Sequence, residues 1–182
     1  MENYMVEMRN ITKTFGRVTA NKEVSLAIRK GEIHALLGEN GAGKSTLMNM
    51  LSGLYSKDSG EILWNGKEVQ IDTPAEAIRL GIGMIHQHFQ LVEKFTVLEN
   101  VILGMKEGRW IEIPTAKAKK KIMELSDTYG LNIRPDALIE NLSVGEQQRV
   151  EIVKALYRDS DLLIMDEPTA VLTPQEVEGL FE

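Results

Sequence analysis

Residues Gly38–Thr46 read Gly-Glu-Asn-Gly-Ala-Gly-Lys-Ser-Thr, a run that fits the spacing GxxxxGK(S/T). Each residue type in it answers a demand made by a nucleoside triphosphate. Several negative charges must be met by backbone N–H groups that approach closely and by the positive end of a helix. Gly38, Gly41 and Gly43 permit that approach, and Asn40 and Ala42 complete the loop. Lys44 brings a point charge to the β and γ phosphates, Ser45 offers its hydroxyl to Mg²⁺, and Thr46 adds an N–H and a hydroxyl at the helix start. The run therefore predicts a site for ATP or GTP. The alternative, a glycine-rich turn before an ordinary helix, leaves Lys44 and Ser45 unexplained.

The flanks fit the same reading. Glu32-Ile-His-Ala-Leu-Leu37 is a short apolar run suited to a buried strand, and Leu47-Met-Asn-Met-Leu51 continues as an amphipathic helix.

Composition bounds the rest. At 182 residues the chain suits one domain, divisible into a body and an inserted lobe. With no cysteine, disulfides and cysteine-based zinc sites are excluded. A net charge of −6 gives no electrostatic support to a nucleic-acid partner, so none is expected. No apolar run approaches the roughly 20 residues that cross a bilayer, so a membrane role would come through a partner.

Along the chain, residues 5–12 and 23–29 read as short strands. Glu61–Ile71 reads as a hairpin, because Asn65-Gly66 favours a tight type I′ turn. Thr73-Pro74-Ala75-Glu76 is a capping box with proline in the first helical turn, and the helix it opens ends near Gly81. A buried strand follows at 82–85. From about Glu99 to Tyr129 the pattern turns helical, with Lys117, Lys119, Lys120 and Lys121 on a stretch better read as a solvated helix face than as a docking patch. Asp161–Met165 is an apolar strand ending in Asp166-Glu167. With a phosphate loop upstream, Asp166 suits the Mg²⁺ hydration shell, and Glu167 suits polarisation of an attacking water.

Leu142-Ser-Val-Gly-Glu-Gln-Gln-Arg149 resembles the LSGGQQR signature of ATP-binding-cassette (ABC) ATPases, with Val144 and Glu146 at positions where that family varies. Gln87, in Met84–Phe89, resembles the family's Q-loop glutamine, and Phe15 matches the aromatic position that stacks on adenine. These motifs stand in the family's order over essentially the whole chain. His86–Val92, Phe95–Val101 and Asp166–Glu176 resemble the first cassette of bacterial importers for simple sugars or nucleosides.

The resemblance implies an α/β fold of P-loop NTPase type: a mainly parallel sheet around the phosphate loop, an antiparallel β layer at the N-terminal side and a helical lobe holding the signature. It divides the chain into a nucleotide-binding core (1–90 and 143–182) and a helical lobe (91–142). It also implies an ATPase that uses ATP and Mg²⁺, with Lys44, Gln87 and Glu167 as catalytic residues. Phe15, Gly38, Asn40, Gly41, Ala42, Gly43, Lys44, Ser45, Thr46, Gln87, Ser143, Gly145 and Asp166 would contact nucleotide, and Ser45, Gln87 and Asp166 the metal. Ser143 and the Gly145 N–H would serve a nucleotide held mainly by a second cassette. The implied partners are that second cassette, a transmembrane permease at the cytoplasmic face of the membrane and, indirectly, an extracytoplasmic solute-binding protein.

Two departures qualify this. Thr173 stands where the family commonly has aspartate, although Thr173–Glu176 keeps a capping box. The chain stops at Glu182, before the family's switch histidine, and His34, His86 and His88 are expected to be structural or surface histidines. The expectation is a fragment that binds ATP and hydrolyses it weakly or not at all. Two other readings stay open: a permease-independent cassette acting on ribosomes or DNA, and a non-catalytic nucleotide-binding module. The interval from Lys44 to Leu142 is too short for the long coiled coil of DNA-repair relatives.

Overall fold

Two twelve-residue strands, β1 (Tyr4–Phe15) and β2 (Val18–Arg29), form an antiparallel hairpin that turns at Gly16-Arg17. The computed structural model describes residues 4–86, 89–105 and 115–166. Both strands outrun the predicted 5–12 and 23–29. The extra residues, among them Lys13, Thr14 and Thr19, carry little apolar alternation and are held by the ladder itself. Register shifts interrupt the pairing; Asn10 and Glu23 adopt positive φ near them, and the neighbouring strand's side chains catch the freed donors. Asn10 N–H donates to Ser25 Oγ at 2.9 Å and Glu23 N–H to Thr12 Oγ1 at 3.1 Å.

β3 (Ser59–Trp64) and β4 (Lys67–Val69) complete a four-stranded sheet of order β2-β1-β3-β4, antiparallel throughout. Asn65 (φ 50°) and Gly66 (φ 76°) make the predicted turn with both central residues left-handed. Val6, Met8, Ile11 and Ile62 are fully buried on this sheet. Helix α1 (Lys44–Leu51) buries Leu47, Met50 and Leu51. Helix α2 (Pro74–Arg79) opens on the predicted capping box: Thr73 Oγ1 accepts from Glu76 N–H, and the Glu76 carboxylate accepts from Thr73 N–H.

The chain divides into two compact units, Met1–Ile82 and Gly83–Glu182. At the boundary, β5 (Ile82–Ile85) pairs with β6 (Leu162–Met165), as both strands were predicted. Asp166 N–H donates to Ile85 O at 3.1 Å, so the two strands bring their C-terminal ends together. In the second unit, α3 (Val97–Ile102), α4 (Thr115–Thr128) and α5 (Val144–Tyr157) enclose a core of Val97, Val101, Ala118, Ile122, Val150 and Val153. The lysines of α4 behave as a solvated face: Lys119 pairs with Asp136, Lys120 with Glu124, and Lys121 with Asp159.

One expectation fails. Residues 32–37 form no strand; they run irregularly, with Ile33 and Leu37 83% and 89% exposed. An apolar run becomes a strand only where neighbours take up its N–H and C=O groups. Among the described residues no strand does, since β5 and β6 pair with each other and the larger sheet ends at β2 and β4.

Candidate functional site

In the first unit the loop 38–43 leads into α1, with Gly43 as N-cap at φ 85°. Gly38, Asn40, Gly41, Ala42 and Ser45 are exposed, whereas Gly43, Lys44 and Thr46 are half-buried. The loop is braced by Ala42 N–H on Glu39 O (3.1 Å) and by Leu47 N–H on Gly43 O (2.9 Å). Lys44 folds back over it: Nζ donates to Gly38 O at 2.6 Å and to Glu39 O at 2.9 Å. Those carbonyls hold the ammonium at the mouth of the loop. The first turn of α1 contains no acidic side chain to compete for an anion.

Sequence reasoning missed a second brace. Asn21, on β2 and 5% exposed, donates Nδ2–H to the Gly43 carbonyl at 3.2 Å. Nothing near Asn21 in the sequence announces this contact, which spans 22 positions.

Phe15 ends β1, partly exposed, and meets the Tyr55 ring edge to face at 5.2 Å. Lys13 Nζ lies over the Phe15 ring at 5.4 Å while also pairing with Asp58 at 2.9 Å. Lys13, and then the Thr14 N–H, hold the Asp58 carboxyl below its ordinary range. His34 is exposed and hydrogen-bonds Glu32, a surface role as expected.

In the second unit Ser143 caps α5. Its Oγ accepts from Glu146 N–H at 3.2 Å, and Glu146 Oε2 accepts from Ser143 N–H at 2.8 Å. This capping box was legible in the Ser-x-x-Glu spacing and fixes the start of the signature helix. Ser143 is exposed. Gly145 is buried within the first turn. The Ser143 N–H chiefly, then Arg134 and the Ser143 hydroxyl, hold the Glu146 carboxyl below its ordinary value. Asp166 follows β6, fixed through its N–H to Ile85. Gln87, Glu167, His88 and the Thr173–Glu176 box lie outside the described residues.

The arrangement in the first unit, an exposed glycine loop capping a helix with a lysine over its mouth, is that of a phosphate site. A family profile described as "ABC transporter" matches residues 21–170. The chain belongs to the ABC transporter family. This cassette is 58% identical over 178 residues to the nucleoside import ATP-binding protein NupA of Lactococcus lactis subsp. cremoris, covering 98% of the chain and 35% of NupA. It is 54% identical over 179 residues to the guanosine import ATP-binding protein NupO of Bacillus subtilis, again covering 98% and 35%. The cassette thus spans about a third of the length of these curated relatives. Among solved structures it resembles the ATP-binding cassette MJ1267 in its ADP conformation, with TM-score 0.85, 30% identity and coverage of 98% and 74%. It also resembles the dimeric cassette MJ0796, with TM-score 0.79, 29% identity and coverage of 97% and 79%. The expected fold class holds, and so does the resemblance to importers of nucleosides and sugars.

Proposed function

We propose that this cassette is the ATP-binding and ATP-hydrolysing part of an importer for a nucleoside or simple sugar, working with a membrane permease at its cytoplasmic face. The observation that carries the reading is the exposed glycine loop 38–43 leading into the N-terminus of α1, with the Lys44 ammonium folded back onto the Gly38 and Glu39 carbonyls. The names of NupA and NupO support the cargo class. On this reading residues 1–90 and 143–182 form the nucleotide core, and 91–142 a helical lobe.

Binding is assigned first to phosphate contacts. The Gly38–Thr46 N–H groups and Lys44 make charge-assisted bonds worth about 1.5–3 kcal/mol each. Stacking of a base on Phe15 adds about 1–3 kcal/mol, so the phosphates dominate affinity and the ring orients the base. To leave Gly38 and Glu39 for phosphate, Lys44 exchanges two neutral acceptors for anionic ones, a net gain.

The Ser45 hydroxyl, the Asp166 carboxylate and the Gln87 amide oxygen are hard oxygen donors of the kind Mg²⁺ prefers. Bound there, Mg²⁺ would neutralise developing phosphate charge. Glu167 is assigned the attacking water, which it orients and whose proton it accepts. Ser143 is assigned to the γ-phosphate of the opposing site across a cassette dimer, its hydroxyl turning from the Glu146 carboxylate to the phosphate, and the Gly145 N–H joins it. The dimer of MJ0796 supports such a pairing.

The test is purification of the whole protein with its membrane partner, followed by ATPase assay. Co-purification of an integral membrane protein and hydrolysis abolished by Glu167→Gln, with MgATP binding retained, are expected. Hydrolysis indifferent to Glu167→Gln, or no membrane partner, would refute the reading.

A further inference from the structure

The signature helix α5 carries a buried carboxylate that the nucleotide reading does not use. Glu151 is 7% exposed within the apolar run Val150–Val153. Its Oε1 accepts the Gln90 N–H at 2.8 Å, across 61 positions of sequence. One helical turn later Lys154 donates Nζ–H to the carbonyl oxygen of the same Gln90 at 3.0 Å and meets Glu151 Oε2 at 3.3 Å. Both backbone polar groups of one loop residue are thus held by an ion pair at i, i+3 on α5.

The other end of the loop is held in the same manner from α3. Val92 N–H donates to Asn100 Oδ1 at 2.7 Å, and Asn100 Nδ2 donates to Val92 O at 3.1 Å and to Thr96 O at 3.0 Å. Asn100 is 1% exposed. Loop peptide groups are ordinarily left to water. Here the loop is gripped by side chains whose burial carries a desolvation cost that a hydrophobic pair of similar volume would avoid.

We propose that Glu151 and Lys154 are positioning residues that lock the segment 89–92 to the signature helix, so that displacement of Ser143 at one end of α5 is carried to that segment. The helix is a rigid strut, and the Gln90 clip is the joint. This rests on the proposed function, under which Ser143 engages nucleotide and a permease docks on the cassette, and it places the permease contact at the segment 89–92. The clip then transmits ATP occupancy to the permease, and permease state back to ATP, as linkage requires.

The experiment compares the whole protein with Glu151→Ala, Lys154→Met and Glu151→Gln. Three quantities are measured: MgATP affinity, ATPase rate with and without the permease, and hydrogen exchange at the Gln90 amide. Glu151→Ala and Lys154→Met should lower the ratio of permease-stimulated to basal rate at least about fivefold, the low end of ordinary coupling. Basal rate and affinity should stay within about twofold, since neither residue touches nucleotide. Glu151→Gln, which keeps an acceptor for Gln90 N–H, should retain more than half of the ratio. The Gln90 amide should exchange about tenfold faster in Glu151→Ala, the loss of one hydrogen bond to a charged group.

An unchanged ratio in both disruptive variants would overturn the proposal, as would a ratio that falls only in step with affinity and melting temperature. If one variant fails to fold, the other decides. Failure of the parent to bind MgATP would sink the proposed function; the clip would then stand or fall on Gln90 exchange alone, and exchange as fast in the parent as in Glu151→Ala would remove it.

Discussion

The α-carbon of Gly43 lies so close to β2 that a Cβ there would fall 2.4 Å from the Ala20 carbonyl oxygen. Gly41 shares the same φ of +85°, yet a Cβ on it would meet nothing within 4 Å. The pair separates two reasons for glycine. Gly41→Ala should cost about 1–2 kcal/mol from the left-handed backbone alone. Gly43→Ala should cost that and, for the forced backbone shift, about 1–3 kcal/mol more. Urea unfolding of both variants checks the ordering; equal losses would show that β2 yields freely.

Asn21 ties β2 to the same carbonyl of Gly43 while its own buried Oδ1 has no partner among the described residues. Replacing it with leucine removes a hydrogen bond worth about 0.5–1.5 kcal/mol and relieves an unsatisfied acceptor worth about 1–3 kcal/mol. The Gly43 carbonyl keeps the Leu47 N–H. Asn21→Leu should therefore be as stable as the parent or more so in thermal unfolding, and a loss above about 2 kcal/mol would contradict the accounting.

The signature helix should respond to acid through Glu146. Its carboxyl is held low by the Ser143 N–H and by Arg134, so the folded chain binds this proton more weakly than the unfolded one. The associated stability is complete above the unfolded value of about 4.3 and is lost as pH falls through the lower folded value. The melting-temperature gap between parent and Glu146→Gln should hold constant from neutral pH to about pH 5 and shrink below about pH 4. A gap that widens in acid would reverse the sign of the interaction.

Legibility tracked the range of the interaction. Thr73 with Glu76, and Asn65 with Gly66, are local devices, and the structure forms both where the sequence places them. The Ser143–Glu146 box is equally local, although its spacing was read only as part of the signature. Residues 32–37 misled because their apolar composition announces burial without naming the partner that supplies it. The Asn21–Gly43 and Glu151–Gln90 contacts join distant segments through side chains. A charged residue inside Val150–Val153 was the one available hint, and its loop partner could not be read from it.

The central claim is that the loop 38–46 grips a triphosphate, and the most direct measurement is calorimetric titration of MgATP into the parent and Lys44→Ala. Lys44 Nζ contacts only exposed loop carbonyls among the hydrogen bonds described above, so the variant should keep its stability within about 0.5 kcal/mol. Its affinity for MgATP should fall by about a hundredfold, the loss of one to two charge-assisted bonds. A parent that takes up no MgATP, or a Kd identical in the two proteins, would contradict the account.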